Sequence, residues 1–245
     1  MYRISQIKLA LNETKELLPK KIKKKLGNNI DIKEYKIVKE SIDARDKGDI
    51  RFVYTVDFDV EQRQGARKIR LKPDPKKNLS IAPDMSYKAP EPGVRELKHR
   101  PVIAGFGPCG IFCALILAQQ GYRPIVLERG KCVSERAEDV QNFWAGGALN
   151  TESNVQFGEG GAGTFSDGKL TTGIKDSRIH KVLSEFVSAG APEEILYKNK
   201  PHIGTDLLRD VVANIREEII RLGGEIRFLS KLVGIDAPSG KIKAI

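Results

Sequence analysis

The sequence predicts an α/β protein in two parts, a small α+β module followed by a larger strand–helix–strand domain, and three observations carry that prediction. Residues 50–60 alternate strictly, with Ile50, Phe52, Tyr54, Val56, Phe58 and Val60 on one side and Arg51, Thr55, Asp57 and Asp59 among those opposite, the period of a half-buried strand. Residues 102–130 pass from an apolar run through Gly105, Gly107 and Gly110 into a helical stretch and then a second apolar run that ends at Glu128. Charge divides the chain in the same place. Residues 1–100 hold 25 Lys and Arg against 15 Asp and Glu, whereas residues 101–245 hold 17 of each sign, so the whole net charge of +10 lies in the first part.

The first module is expected over residues 1–72. Arg3 to Leu9 reads as a strand, and Asn12 to Leu26 as a helical stretch with Leu18, Ile22 and Leu26 on one face and Gly27 as its stop. Pro19 sets the start of the helix proper, where its missing N–H costs little. Glu34 to Ile42 pairs with the 50–60 strand across the turn residues Asp46, Lys47, Gly48 and Asp49. Five prolines between 72 and 92, at positions 73, 75, 83, 90 and 92, then mark residues 73–93 as an extended connector.

The second domain is expected over residues 94–245. Gly105 permits a tight turn off the first strand, Gly107 lets backbone approach a phosphate, and Gly110 allows the helix to pack closely on the sheet. Together with Phe106, Pro108 and Cys109 these residues aim a helix N-terminus at a pyrophosphate, and Glu128, eighteen residues past Gly110, aims a carboxylate at a ribose diol. Such a Rossmann-like unit serves FAD and NAD(P) alike. A helix from Arg178 to Ala189, a second from Asp206 to Leu222 capped by Thr205, and a strand from Glu225 to Val233 complete the expected elements.

The run Gly105 to Gly130, with Ala114, Gly121 and Glu128-Arg129-Gly130 in register, resembles the two-dinucleotide-binding flavoproteins related to glutathione reductase. Residues 155–170, Val-Gln-Phe-Gly-Glu-Gly-Gly-Ala-Gly-Thr-Phe-Ser-Asp-Gly-Lys-Leu, the entry Pro201 to Asp206 and the stretch Ser41-Ile-Asp-Ala-Arg45 are similar to a prokaryotic family of uncharacterised FAD-dependent dehydrogenases. The resemblance implies an FAD-dependent oxidoreductase with flavin carrying hydride transfer. It implies FAD with Gly105 to Gly110 at the pyrophosphate, Glu128 on the ribose, and Arg129 and Gly130 near the adenine end. Gly160, Gly161, Gly163 and Thr164 would approach the phosphates or the ring, and Leu232 and Val233 would flank the adenine. NAD(P)H is the companion expectation as electron donor or acceptor. Family members are about twice this length, so the chain is expected to be an N-terminal portion with an incomplete dinucleotide-binding domain that binds FAD weakly or not at all by itself.

Several alternatives are disfavoured. A dithiol mechanism lacks its cysteine pair in the glycine loop, and Cys109, Cys113 and Cys132 read as small packed residues of an intracellular protein, with a cytoplasmic location as the default. The uncharged run Pro101 to Tyr122 is read as a glycine turn and helix, not a membrane span. His202, Asp167 and Lys169 are candidate proton carriers, but turn and capping roles suit them as well, and no catalytic residue or metal ligand is assigned. The basic module offers an RNA-binding alternative through Lys20, Lys21, Lys23, Lys24, Lys25, Arg63, Arg67, Lys68 and Arg70. Without interleaved aromatics these read instead as a solvated face. A third reading makes the module a partner-docking or self-association surface. The substrate, a small molecule, is not specified by the sequence.

Overall fold

The computed structural model describes residues 1–27, 30–60 and 71–245. It is a mixed α/β protein whose contacts divide it into two units, Met1–Ser86 with Glu193–Pro201, and Tyr87–Pro192 with His202–Ile245. No helix among the described residues is long and apolar enough to cross a membrane.

In the first unit the expected alternation becomes β3 (Arg51–Val60), flanked by β1 (Tyr2–Ala10) and β2 (Ile32–Asp43), with β4 (Leu79–Ile81) at the far edge. The sheet is antiparallel throughout and ordered β2-β3-β1-β4. Cross-strand partners Ile4↔Val56 and Ile37↔Val56 fix the register. A register one residue off would turn every apolar side chain to the wrong face. Helix α1 (Leu18–Leu26) carries Pro19 in its first turn and buries Leu18 and Ile22. These two side chains pack with Ile4, Ile7, Leu9, Tyr54, Val56, Phe58 and Leu79. On the other sheet face Arg3 donates two bonds to Asp57, at 2.7 and 2.9 Å, so this acid lies buried within the alternation.

The Glu193–Pro201 segment packs within this unit. Glu40 N donates to the Tyr197 carbonyl at 2.9 Å, and Lys15 Nζ donates to the Tyr197 hydroxyl at 2.9 Å. Of the expected basic residues, Lys21 pairs with Glu13 and Lys23 with Asp31, while Lys25 bonds the Ser5 carbonyl. Arg63, Arg67, Lys68 and Arg70 lie outside the described residues.

The second unit is built on a parallel sheet ordered β5-β6-β7, from β5 (Val102–Ala104), β6 (Ile125–Leu127) and β7 (Glu225–Arg227). Helix α2 (Pro108–Gln119) crosses from β5 to β6. Three more helices, α3 (Val133–Trp144), α4 (Arg178–Ser188) and α5 (Thr205–Arg221), separate β6 from β7. Val126, Ile111, Ala114, Leu115, Val140, Val211, Ile215 and Ile219 form the buried apolar interior.

Three expectations are corrected here. The predicted strand 225–233 stops at Arg227, because Leu229 adopts φ 52° and the amides of Leu229 and Ser230 turn back to the carbonyls of Gly130 and Glu128. Thr205 does not cap α5; Gly204 is the N-cap, and the Thr205 hydroxyl donates to the Ser166 carbonyl at 3.1 Å. Cys109 and Cys113 are exposed on α2 instead of packed.

Candidate functional site

The glycine turn between β5 and α2 works largely as its spacing predicts. Gly105 adopts φ 91°, a conformation open to glycine, and its N–H donates to the Leu127 carbonyl at 2.7 Å. A Cβ on Gly110 would overlap the carbonyl oxygen of Gly105, so α2 can approach the turn this closely only with glycine there. Gly107 is the N-cap of α2 and Pro108 occupies its first turn, with no side chain capping the helix start. The N-terminal N–H groups and the positive end of the dipole are thus available to an anion.

At the end of β6, Glu128 is buried and clasped by two amides. Phe106 N–H donates to Oε2 at 2.7 Å and Gly130 N–H donates to Oε1 at 2.8 Å. Each carboxylate oxygen can accept more than one hydrogen bond, so the two amides orient the group and leave it able to accept ribose hydroxyls. Gly130 is required sterically as well, since a Cβ there would lie 2.5 Å from Gly158 Cα.

A cavity of about 360 Å³ opens over these groups, lined by Ala104, Gly105, Gly107, Leu127, Glu128 and Arg129 on one side. Gln156, Phe157, Gly158, Gly161, Ser230, Lys231 and Leu232 line the other. That volume is at the small end of ligand sites and suits one nucleotide half. Arg129 lies over the Phe157 ring at 4.0 Å and bonds Glu152 at 2.7 Å, and Lys231 approaches the same carboxylate at 3.5 Å. The Arg129 guanidinium beside Glu152 is the first cause holding that carboxyl below its usual range.

Of the sequence-predicted site residues, Gly105, Gly107, Glu128, Arg129, Gly161 and Leu232 line one cavity. Phe106, Gly130 and Gly160 act through backbone, Gly160 N–H donating to the Phe106 carbonyl at 2.9 Å. Pro108 and Cys109 form the first turn of α2. Gly163 and Thr164 sit in a short 3-10 turn away from the lining, with Thr164 buried. Val233 is 88% exposed and does not line the cavity. Asp167 and Lys169 pair with each other on the surface at 2.5 Å, and His202 is exposed; none of the three lines the cavity. Among the described residues no cluster of three or more His, Cys, Asp or Glu side chains could hold a metal ion.

Sequence reasoning missed the layer beneath the cavity. Glu159 is fully buried; its Oε2 accepts from Val133 N–H at 2.6 Å and from Arg216 at 2.7 Å, and its Oε1 finds no hydrogen-bond partner among the described residues. Burial is the main cause raising the Glu159 carboxyl above its usual range. The only sequence signal for this residue is its place between Gly158 and Gly160.

A family profile described as a domain of unknown function, DUF8436, matches residues 1–59, the stretch from β1 to β3 of the first unit. An uncharacterized protein of Clostridium beijerinckii is 51% identical over 244 residues. The match takes in 99% of this chain and 45% of that protein, so the chain spans less than half the length of the curated relative it matches.

Proposed function

We propose that the second unit is a Rossmann-like dinucleotide-binding domain and that the chain forms part of an FAD-dependent oxidoreductase acting in the cytoplasm on a small molecule. The observation that carries the reading is the clasped carboxylate of Glu128, set in one cavity with the uncapped start of α2. A buried carboxylate with spare acceptor capacity suits a ribose diol, and an uncapped helix start suits a pyrophosphate. The choice of FAD over NAD rests on the resemblance, because these groups serve either dinucleotide. When bound, FAD would supply hydride transfer at its isoalloxazine. The chain's own residues bind and orient: α2 and Gly107 hold phosphate, Glu128 accepts from ribose, and Phe157, stacked on Arg129, walls the cavity.

Titration of the purified chain with FAD, read by quenching of flavin fluorescence, tests the reading. Saturable binding that ADP displaces, and that Gly107→Val abolishes, is the expected result; FAD that saturates neither this chain nor the longer clostridial relative refutes it. Competition by NAD⁺ and NADP⁺ orders the nucleotides, and anaerobic titration of the longer clostridial relative with NADH and NADPH tests electron transfer. The RNA-binding alternative gains little from the first unit: Tyr54 and Phe58 lie in the apolar core, Tyr2 and Phe52 are half-buried against it, and among the described residues Tyr35 is the one exposed strand aromatic.

A further inference from the structure

Arg136, on α3, heads the fully buried side chains by volume, and it carries a charge. An apolar side chain would fill that volume without the penalty of removing a guanidinium from water. What it does there is specific to a planar fork. Nε donates to the Asn154 carbonyl at 2.8 Å, Nη2 to the Val155 carbonyl at 2.8 Å and Nη1 to the Glu159 carbonyl at 2.6 Å. All three acceptors belong to one loop, and the guanidinium also lies over the Phe165 ring at 4.8 Å. Among the described residues no carboxylate bonds it directly; its electrostatic counterweights are Glu128 and Glu159. Burial pushes its pKa down to about 10, so it remains charged at neutral pH.

The loop is shaped to receive this side chain. Gly158 adopts φ 123°, and a Cβ on it would stand 2.5 Å from Arg136 Cδ, so the missing side chain of Gly158 makes room for the arginine stem. The same loop supplies Gln156, Phe157, Gly158 and Gly161 to the cavity lining. Its end meets the glycine turn, where a Cβ on Gly161 would lie 3.1 Å from Pro108 Cδ. One buried cation therefore ties the loop side of one cavity wall to α3.

We propose that Arg136 is a positioning residue for the dinucleotide site: its fork fixes loop 154–161 in the conformation that sets the cavity wall against the start of α2 and Glu128. This inference rests on the dinucleotide reading above. Arg136→Lys keeps the charge and loses the fork, since an ammonium is a compact point donor that cannot span three fanned carbonyls. Val140→Ala is the matched control: it trims a buried apolar side chain one turn further along α3 and leaves Arg136 and the three carbonyl acceptors of its fork in the sequence.

The test compares wild type, R136K and V140A by FAD titration and by amide hydrogen exchange of residues 154–161, at temperatures where the two variants have equal stability. R136K is expected to raise the FAD Kd at least tenfold and to speed loop exchange, with V140A within twofold of wild type in both. Equal Kd values or equal loop exchange in R136K and V140A would make Arg136 a packing residue and overturn the proposal. FAD that saturates neither the wild-type chain nor the longer clostridial relative overturns the dinucleotide reading itself, which is distinct from saturable wild-type binding left unchanged by R136K, in whichever of the two proteins binds.

Discussion

Gly110→Ala and Gly107→Ala separate the two jobs that glycines do at the β5–α2 turn. At Gly110 the added methyl falls on the carbonyl oxygen of Gly105, and Gly105 Cα's own carbonyl carbon lies 3.0 Å away. Both are backbone atoms, held by the Gly105 N–H bond to Leu127, so the strain has no flexible side chain to absorb it. Overpacking of this kind costs about 3 kcal/mol at the upper end of its usual range. Alanine returns about 1 kcal/mol through its better helix propensity. The net loss of about 2 kcal/mol should lower the midpoint of thermal unfolding by roughly 4–8 °C. At Gly107 the nearest neighbour to an added Cβ is Gly161 Cα at 3.9 Å, an ordinary contact, and the backbone sits at φ −76°. That substitution should cost under about 1 kcal/mol, the loss of a permissive N-cap residue. Thermal unfolding followed by circular dichroism, paired with FAD titration, reads both. Gly107→Ala should weaken FAD with stability near wild type, and Gly110→Ala should lower stability first. A Gly107 variant as unstable as the Gly110 variant, or a Gly110 variant with an unchanged midpoint, would refute the steric argument.

The first unit supplies three further tests. Tyr54 is held in the core, where burial first and neighbouring Glu40 second push its phenol from 10.0 to about 12. Between those values the unfolded state has lost the proton and the folded state keeps it, so stability should fall as pH rises through that window. Tyr54→Phe should flatten this slope in urea melts taken across it. Asp57→Asn leaves the half-buried Arg3 guanidinium without its two charged acceptors and should destabilise the chain by about 2 kcal/mol in urea unfolding. Tyr197→Phe removes the hydroxyl that accepts from Lys15; it should cost about 1 kcal/mol and make the Glu193–Pro201 segment the first site of limited proteolysis.

Where a local rule decides the structure, the sequence is legible. Strand β3 follows from strict alternation, and the turn before α2 from Gly105, which sits at a positive φ, and Gly110, where a Cβ would strike the Gly105 carbonyl. Helix α3 places Val133, Ala137, Val140 and Trp144 along one face, but seven of its twelve residues, Ser134, Glu135, Arg136, Glu138, Asp139, Gln141 and Asn142, are polar or charged and thin that signal. The side chain it buries most deeply is an arginine, a residue type that sequence patterns assign to the surface. The cavity wall is missed for a related reason. Lys231 and Ser230 reach it only because Leu229 turns the chain at a positive φ, which no propensity of leucine foretells. Cysteine composition misleads in the other direction, since apolar character does not say which face of α2 meets the core.

The buried charges explain how an anion site can rest on acidic residues. Glu128 and Glu159 are both buried, and alone they would repel a pyrophosphate through a medium that screens poorly. Arg136 stands electrostatically between them and Arg216 pairs with Glu159, so the layer beneath the cavity carries two charges of each sign. With that layer balanced, the positive end of α2 would meet a phosphate, on the proposed reading, with little opposition, and the rim cations Arg129 and Lys231 are themselves held by Glu152. On the proposed reading Glu128 would then discriminate locally. Its two amide donors keep it from swinging aside, so a ribose hydroxyl would meet an acceptor there and a 2′-phosphate a fixed negative charge. The order of competition against FAD should therefore place ADP and NAD⁺ ahead of NADP⁺, and the reverse order would mean that Glu128 does not face the ribose.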